Sequence, residues 1–150
     1  MDTEVLIYAG GVYHLCWAAF DFFWPYLFNW KKTLLPLDDF NRALLHITSK
    51  LLSFLYAALA YLSFFYTREL LETGIGKALL IFTALFWAIR AGMQIRFMGF
   101  RKANEMNMKP SDGNLPPPFC NLSMRFLSTM FFIIFVIGMA LYLIPAVVTP

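Results

Sequence analysis

Four long apolar segments restrict what this chain can fold into more than any other feature of its sequence. They cover residues 5–28, 46–67, 75–100 and 126–148, and each reaches the roughly 20 helical residues that cross the hydrocarbon core of a bilayer. Because that core offers no water to backbone N–H and C=O groups, such segments must satisfy those groups within a helix. The sequence therefore predicts an all-α fold, an integral membrane four-helix bundle that forms a single transmembrane domain over residues 1–150.

The composition of the chain agrees with a membrane environment. Hydrophobic residues make up 60% of the chain and charged residues only 14%, whereas an average soluble domain is about 25% charged. The net charge is +3, and the basic residues lie near the ends of the apolar segments, where membrane topology and anionic headgroups explain them. We therefore predict contact with membrane lipids, leave room for protein partners within the membrane, and expect no nucleic-acid partner.

Lys and Arg are unevenly distributed among the three connections between these segments. An excess of basic residues marks cytoplasmic connections, and the first and third connections carry this excess. The bias predicts that both termini lie on the non-cytoplasmic side, and we place the chain in a bacterial cytoplasmic (inner) membrane with periplasmic termini. The basic residues are Lys31, Lys32, Arg42 and Lys50 in the first connection, Arg68 and Lys77 in the second, and Arg96, Arg101, Lys102, Lys109 and Arg125 in the third.

Short local signals predict where the helices begin and end. Asp38 or Asp39 is suited to cap the second helix, which should then run to about Glu72. Gly74 and Gly76 favour the end of that helix and a tight turn, so that the second and third spans form an antiparallel hairpin. The third connection contains a run of three prolines at 116–118, which is typical of a stiff extended spacer.

One face of the first helix collects small and ionisable residues. Gly11, His14, Ala18, Asp21 and Pro25 are spaced by three or four positions, so they form a single stripe. Small residues let helices approach closely, which predicts that the stripe faces the bundle interior. Since proline has no N–H, the backbone carbonyl of Asp21 is left free as a further acceptor.

The third helix carries a matching polar stripe that includes Trp87, Arg90 and Gln94. Asp21 lies about 16 residues into the first span and Arg90 about 15 into the third, so the two are almost level at a rise of about 1.5 Å per residue. Because isolated charges are costly in hydrocarbon, we predict a bond between Asp21 and Arg90, extended by Gln94. This cluster is either a clamp between helices or the floor of a cavity in which His14 takes part, and snorkelling of Arg90 to the cytoplasmic interface is the remaining alternative.

Cofactor and catalytic signals are weak in this sequence. His14 and His46 lie at different depths, so they are not placed to hold one haem iron between them. Haem bound through His14 alone stays open as an alternative, but we predict no cofactor and no metal site. The spans contain no GxSxG, HExxH or phosphate-binding loop motif and no paired carboxylates, which favours a non-enzymatic protein with no identifiable catalytic residue.

The stretch GGVYHLCWAAFDFFWPYLFNW, residues 10–30, resembles the opening of small bacterial four-span proteins of the DoxX-like kind, in which Gly, His and Pro recur in the first helix. The resemblance covers one helix in four. It implies the four-helix membrane bundle, and no quinone-linked activity is carried over with it.

Three functions stay open on these grounds. The first is a non-enzymatic accessory or structural subunit of a membrane complex, which the absence of room for a soluble domain and the 17 Phe residues favour. The second is a ligand- or lipid-binding or transport protein, with a cavity lined by His14, Asp21, Arg90 and Gln94. The third is a quinone- or haem-linked membrane enzyme. Direct contact between Asp21 and Arg90, with no space beside them, would exclude the second.

Overall fold

The computed structural model describes residues 3–98 and 124–149. Four of its helices are long and apolar enough to cross a membrane, and no strand occurs in this part of the chain. The predicted all-α bundle of membrane-spanning helices is thereby confirmed, and the chain is a small polytopic membrane protein. The predictions for the triple proline, Arg101, Lys102 and Lys109 lie outside the described residues.

Six helices follow one another along the described chain. The four spanning helices begin and end within a few residues of the predicted segments, except that the second starts earlier, at the Asp38 cap. Two short helices, α2 and α4, lie in the first two connections. The helices are α1 (Thr3–Leu27), α2 (Trp30–Thr33), α3 (Asp39–Phe65), α4 (Thr67–Glu72), α5 (Gly74–Met98) and α6 (Met124–Val148).

Two of the helix boundaries have clear local causes. Asn29 adopts a left-handed backbone with φ of 45°, a conformation that asparagine tolerates better than most residues, and this residue separates α1 from α2. Asp38 has an extended backbone, and its carboxylate accepts a hydrogen bond of 2.9 Å from the amide of Asn41. The predicted N-cap of the second spanning helix is therefore confirmed.

The prediction that Gly74 and Gly76 end a helix is wrong. The second spanning helix is interrupted near Tyr66, and α5 already begins at Gly74. At Gly76 the chain approaches α4 so closely that a Cβ would lie 2.2 Å from the carbonyl oxygen of Glu69 and 2.5 Å from Cα of Leu70. Gly76 is therefore needed for close packing of the two helices.

The backbones of the four spanning helices are not equally close to one another. α1 packs closely on α3, α5 packs closely on α6, and α1 also contacts α6, whereas the backbones of α3 and α5 stay apart. The second and third spans are antiparallel, as predicted, and are joined through α4, which ends at Glu72, and a turn at Thr73, but α3 and α5 do not pack closely. Large side chains bridge this gap instead, with the rings of Tyr56 and Trp87 stacked at 5.6 Å between centroids.

The two ends of the bundle differ in charge. We call the end at which α1 and α5 finish and α3 and α6 begin the basic end, because Lys31, Lys32, Arg42 and Arg96 lie there. This is the end that the sequence predicts to be cytoplasmic.

Replacing Asp38 by alanine is expected to speed hydrogen exchange at the Asn41 amide, because that amide loses its acceptor. The hydrogen bonds from Asn41 hold the pKa of the Asp38 carboxyl below its usual value. The cap is therefore intact above the pKa of the unfolded chain and is lost as the pH falls through the lowered pKa. Asp39→Ala is the matched control, and equal exchange rates at Asn41 in the two variants would contradict the cap.

Candidate functional site

His14 is at the centre of a buried hydrogen-bond network in the middle of the bundle. Its side chain is fully buried, at 0% exposure. The indole N–H of Trp87 donates to His14 Nε2 at 3.1 Å, and the Tyr142 hydroxyl lies 2.7 Å from His14 Nδ1. The same hydroxyl lies 2.8 Å from Oγ of Ser63. This network joins α1, α3, α5 and α6, one residue from each.

The direction of every bond in this network follows from the indole, which can only donate. Nε2 of His14 is therefore an acceptor, and in the neutral ring the single proton is on Nδ1, whose N–H is shared between the Tyr142 hydroxyl and the Gly10 carbonyl 3.1 Å away. Tyr142 then donates to Ser63, and Ser63 donates to the carbonyl of Leu59 at 2.8 Å. Each polar group in the network is satisfied, so this arrangement is suited to fixing helix positions.

This network changes the interpretation of His14. In one of the predicted alternatives His14 lines a cavity with Asp21, but its ring is enclosed by Tyr13, Tyr56, Trp87 and Tyr142. A haem iron at His14 would have to displace either the indole of Trp87 or the hydroxyl of Tyr142. Within residues 3–98 and 124–149, no group of three His, Cys, Asp or Glu side chains is placed to hold a metal ion.

Asp21 lies nearer the basic end and is 7% exposed. Its backbone carbonyl, which the sequence predicted to be free because of Pro25, accepts a hydrogen bond of 3.2 Å from the hydroxyl of Ser49. Its carboxylate is different, because Oδ2 is buried without any hydrogen-bond partner among the described residues. An ionisable group in this position is costly unless something pairs with it.

Arg90 reaches the same level as Asp21 but does not pair with it. Among the described residues, no contact within 4.0 Å joins the guanidinium to the carboxylate. The guanidinium lies instead over the ring of Phe135, 5.3 Å from its centroid. Gln94 does not extend the cluster either, because its amide donates to the hydroxyl of Ser128 at 3.3 Å. The predicted bond between Asp21 and Arg90, extended by Gln94, is therefore not formed.

A cavity of about 220 Å³ separates the two charged groups. It lies between α1, α3 and α5, at the wide gap that the aromatic side chains leave between α3 and α5. A single water molecule needs about 10–15 Å³ measured in this way, so the cavity holds a considerably larger group. Its lining consists of Asp21, Trp24, Trp30, Leu45, Thr48, Ser49, Leu52 and Arg90. Of the predicted lining residues, His14 and Gln94 are not part of it.

A second unsatisfied polar group belongs to the same region. Tyr56 is fully buried on α3, one turn from the cavity residue Leu52, and its hydroxyl has no hydrogen-bond partner in the described chain. Tyr56 is within the electrostatic reach of both Arg90 and Asp21. Tyr56 is not recognisable as a site residue from sequence, because a tyrosine in an apolar span is indistinguishable from an ordinary core aromatic.

A larger cavity, of about 340 Å³, lies between α1 and α6. Its lining is almost entirely apolar, with residues such as Trp17, Phe20 and Phe131. The one polar group with an obvious role there, the Tyr13 hydroxyl, already donates to the carbonyl of Ile134 at 3.0 Å. Because this cavity presents no charged group, the smaller cavity is the candidate functional site.

The chain was compared with protein-family models, with curated proteins and with solved structures, and none of the three comparisons finds a match. The DoxX-like character of residues 10–30 stays a prediction. The chemistry of the cavity between Asp21 and Arg90 is thus the basis for assigning a function.

Proposed function

We propose that this membrane protein binds a small polar or amphipathic molecule in the cavity lined by Asp21 and Arg90. One observation carries the proposal: the Asp21 carboxylate and the Arg90 guanidinium line the same cavity and form no ion pair with each other. Within the described chain no hydrogen bond joins the two side chains either, although each lies in the electrostatic field of the other.

The energetic argument rests on the cost of charges away from water. Two opposite charges in a membrane protein usually pair with each other or serve a ligand or ion pathway. A clamp between helices would bring the guanidinium and the carboxylate into contact, because hydrogen-bonded pairing is what offsets their desolvation. Since they remain separated by a cavity, a binding role accounts for both residues better than a clamp does.

The network around His14 is suited to hold the bundle together, which is the structural role predicted as one alternative for Asp21 and Arg90. All of its polar groups are hydrogen-bonded, and it joins four helices. The polar groups nearer the basic end are then available for binding. An accessory or structural role in a membrane complex stays a prediction, and so does an enzymatic one.

Replacing Arg90 by glutamine is expected to remove binding while changing stability little. The variant loses a cation–π contact with Phe135, worth about 0.5–2 kcal/mol, but no ion pair. Purified in mild detergent, the wild-type protein should retain a non-covalent small molecule in native mass spectrometry, and the variant should retain at least about tenfold less, the effect of losing one charged hydrogen bond. An absorption spectrum of the same preparation tests for haem.

Arg96→Gln is the matched control, because Arg96 lies on the same helix near the basic end but does not line the cavity. The Arg96 variant should retain the same amount of bound small molecule as the wild type. Equal retention in the Arg90 and Arg96 variants would contradict the proposal. A loss of stability of about 3–5 kcal/mol in the Arg90 variant would indicate a directly paired charge and would support the clamp instead.

A further inference from the structure

The charges of the cavity restrict the kind of molecule that fits it. Asp21 projects from α1 and Arg90 from α5, and both line the same space. A purely anionic ligand would pair with Arg90 and leave the Asp21 carboxylate both unpaired and close to a second negative charge. A purely cationic ligand would pair with Asp21 and leave the Arg90 guanidinium unpaired and close to a second positive charge. Only a molecule that carries both charges matches both walls.

The unpartnered oxygen of Asp21 restricts the cation further. Oδ2 is buried and accepts no hydrogen bond within the described chain, so the matching group must donate one. A primary ammonium has three N–H donors, whereas a quaternary ammonium has none. The carboxylate therefore favours a primary amine, even though both kinds of cation would interact with an aromatic face.

Two indoles complete the cation side of the cavity. Trp24 and Trp30 both line it, and tryptophan is the best aromatic partner for an ammonium group. Neither indole is loosely held. The ring of Trp24 stacks on Phe28 at 4.3 Å between centroids, and the ring of Trp30 packs edge-on against His46 at 5.0 Å.

The position of the cavity indicates the anion. Trp30 and the adjacent Lys31 and Lys32 belong to α2, outside the spanning helices at the basic end. Tryptophan and lysine in such positions mark the level of the lipid headgroups, where the prevailing anion is phosphate. Arg90 presents a planar guanidinium, which binds phosphate oxygens through two parallel hydrogen bonds.

We propose that the cavity recognises a zwitterion of the aminoethyl phosphate class, with its primary ammonium on Asp21 and its phosphate on Arg90. This inference rests on the proposed binding function and names its ligand class. The same chemistry occurs in the headgroup of phosphatidylethanolamine and in free phosphoethanolamine. Displacement of bound lipid by free phosphoethanolamine distinguishes these two sources.

The test is lipid competition on the full-length protein. Purified protein is exchanged into mixed micelles that contain equimolar phosphatidylethanolamine, phosphatidylcholine and phosphatidylglycerol with identical acyl chains, and bound lipid is counted by native mass spectrometry. We expect phosphatidylethanolamine to be retained at least about tenfold over each of the others, the factor that a hydrogen bond to a charged group supplies. Asp21→Asn should abolish the preference over phosphatidylcholine, and the control Asp39→Asn, which alters an exposed carboxylate outside the cavity, should preserve it.

The outcomes separate this inference from the proposed function. The zwitterion is overturned if phosphatidylethanolamine and phosphatidylcholine are retained equally, or if phosphatidylglycerol is preferred. If binding is still lost in Arg90→Gln, either result leaves the proposed binding function standing. Lipid retention that is the same in the wild type, Asp21→Asn and Arg90→Gln overturns both.

Two further measurements complete the test. If Asp21→Asn does not fold, Thr48→Trp replaces it, because Thr48 is an exposed residue of the cavity lining and a bulky side chain there blocks the space without changing a charge. The expected result is the same loss of preference, and an unchanged preference overturns the inference. Displacement of bound phosphatidylethanolamine by free phosphoethanolamine assigns recognition to the headgroup alone, whereas lack of displacement assigns it to the whole lipid; both results support the zwitterion.

Discussion

Replacing His14 by alanine is expected to lower the free energy of unfolding by about 3–8 kcal/mol. The substitution leaves a space beside Trp87 and Tyr142 in the most buried part of the bundle, and such large-to-small changes alone cost about 2–5 kcal/mol. It also leaves the indole N–H of Trp87 without an acceptor, which adds about 1–3 kcal/mol. The effect is large because His14 on α1 bonds directly to Trp87 on α5 and Tyr142 on α6, and through Tyr142 to Ser63 on α3.

The measurement is unfolding in a mixed-detergent titration, followed by tryptophan fluorescence. Leu15→Ala is the matched control, since Leu15 is the next residue on α1 but is 54% exposed toward the membrane, and its change should stay within about 0.5 kcal/mol. Tyr142→Phe removes only the hydroxyl that links His14 to Ser63 and should cost about 0.6–2 kcal/mol, the range for a hydrogen bond between membrane helices. Equal stabilities of the His14 and Leu15 variants would show that the network does not hold the bundle together.

Replacing Gly76 by alanine is expected to destabilise the protein by about 2–3 kcal/mol, at the upper part of the range for added volume in a packed region. The new methyl group would lie 2.2 Å from the carbonyl oxygen of Glu69 and 2.5 Å from Cα of Leu70. Both are backbone atoms of α4, so no side chain can move aside to make room. The two helices must separate, which disturbs the packing of Leu70 and Leu71 in the core around Ile7.

Gly74→Ala is the control for this change. Gly74 lies two residues earlier on the same helix, and a Cβ there would have no neighbour within 4 Å. Because alanine is also a better helix former than glycine by about 0.5–1 kcal/mol, Gly74→Ala should be neutral or slightly stabilising. Detergent unfolding of both variants decides the matter, and a Gly76 variant as stable as the Gly74 variant would refute close packing of α4 on α5.

The stripe on the first helix shows how much of the candidate site is readable from sequence. Spacing alone indicated that Gly11, His14, Ala18 and Asp21 share the inward face, and all four are buried. Span position alone indicated that Asp21 and Arg90 lie at one level, and both line one cavity. Helical periodicity and rise per residue are properties of the backbone, so these features follow without knowledge of the neighbouring helices.

The partners of those residues were not readable in the same way. Asp21 and Arg90 were expected to bond, and His14 and Gln94 were expected to join them. In the structure His14 binds Trp87 and Tyr142, Gln94 binds Ser128, and a cavity separates the two charges. A polar side chain can satisfy itself with any neighbour at its level, and periodicity does not say which helix that neighbour is on.

The sequence by itself determined the class of this protein, its four spans, the inward face of α1 and the Asp38 cap, because apolar length, helical period and capping chemistry are local properties. Only the tertiary structure decided which helices pack closely. It brought α1 onto α3 and α5 onto α6 and left α3 apart from α5, since stacked Tyr56 and Trp87 occupy the space between them. The cavity lies beside this gap. Because of it, Asp21 and Arg90 do not pair to hold helices together and are available to bind a ligand.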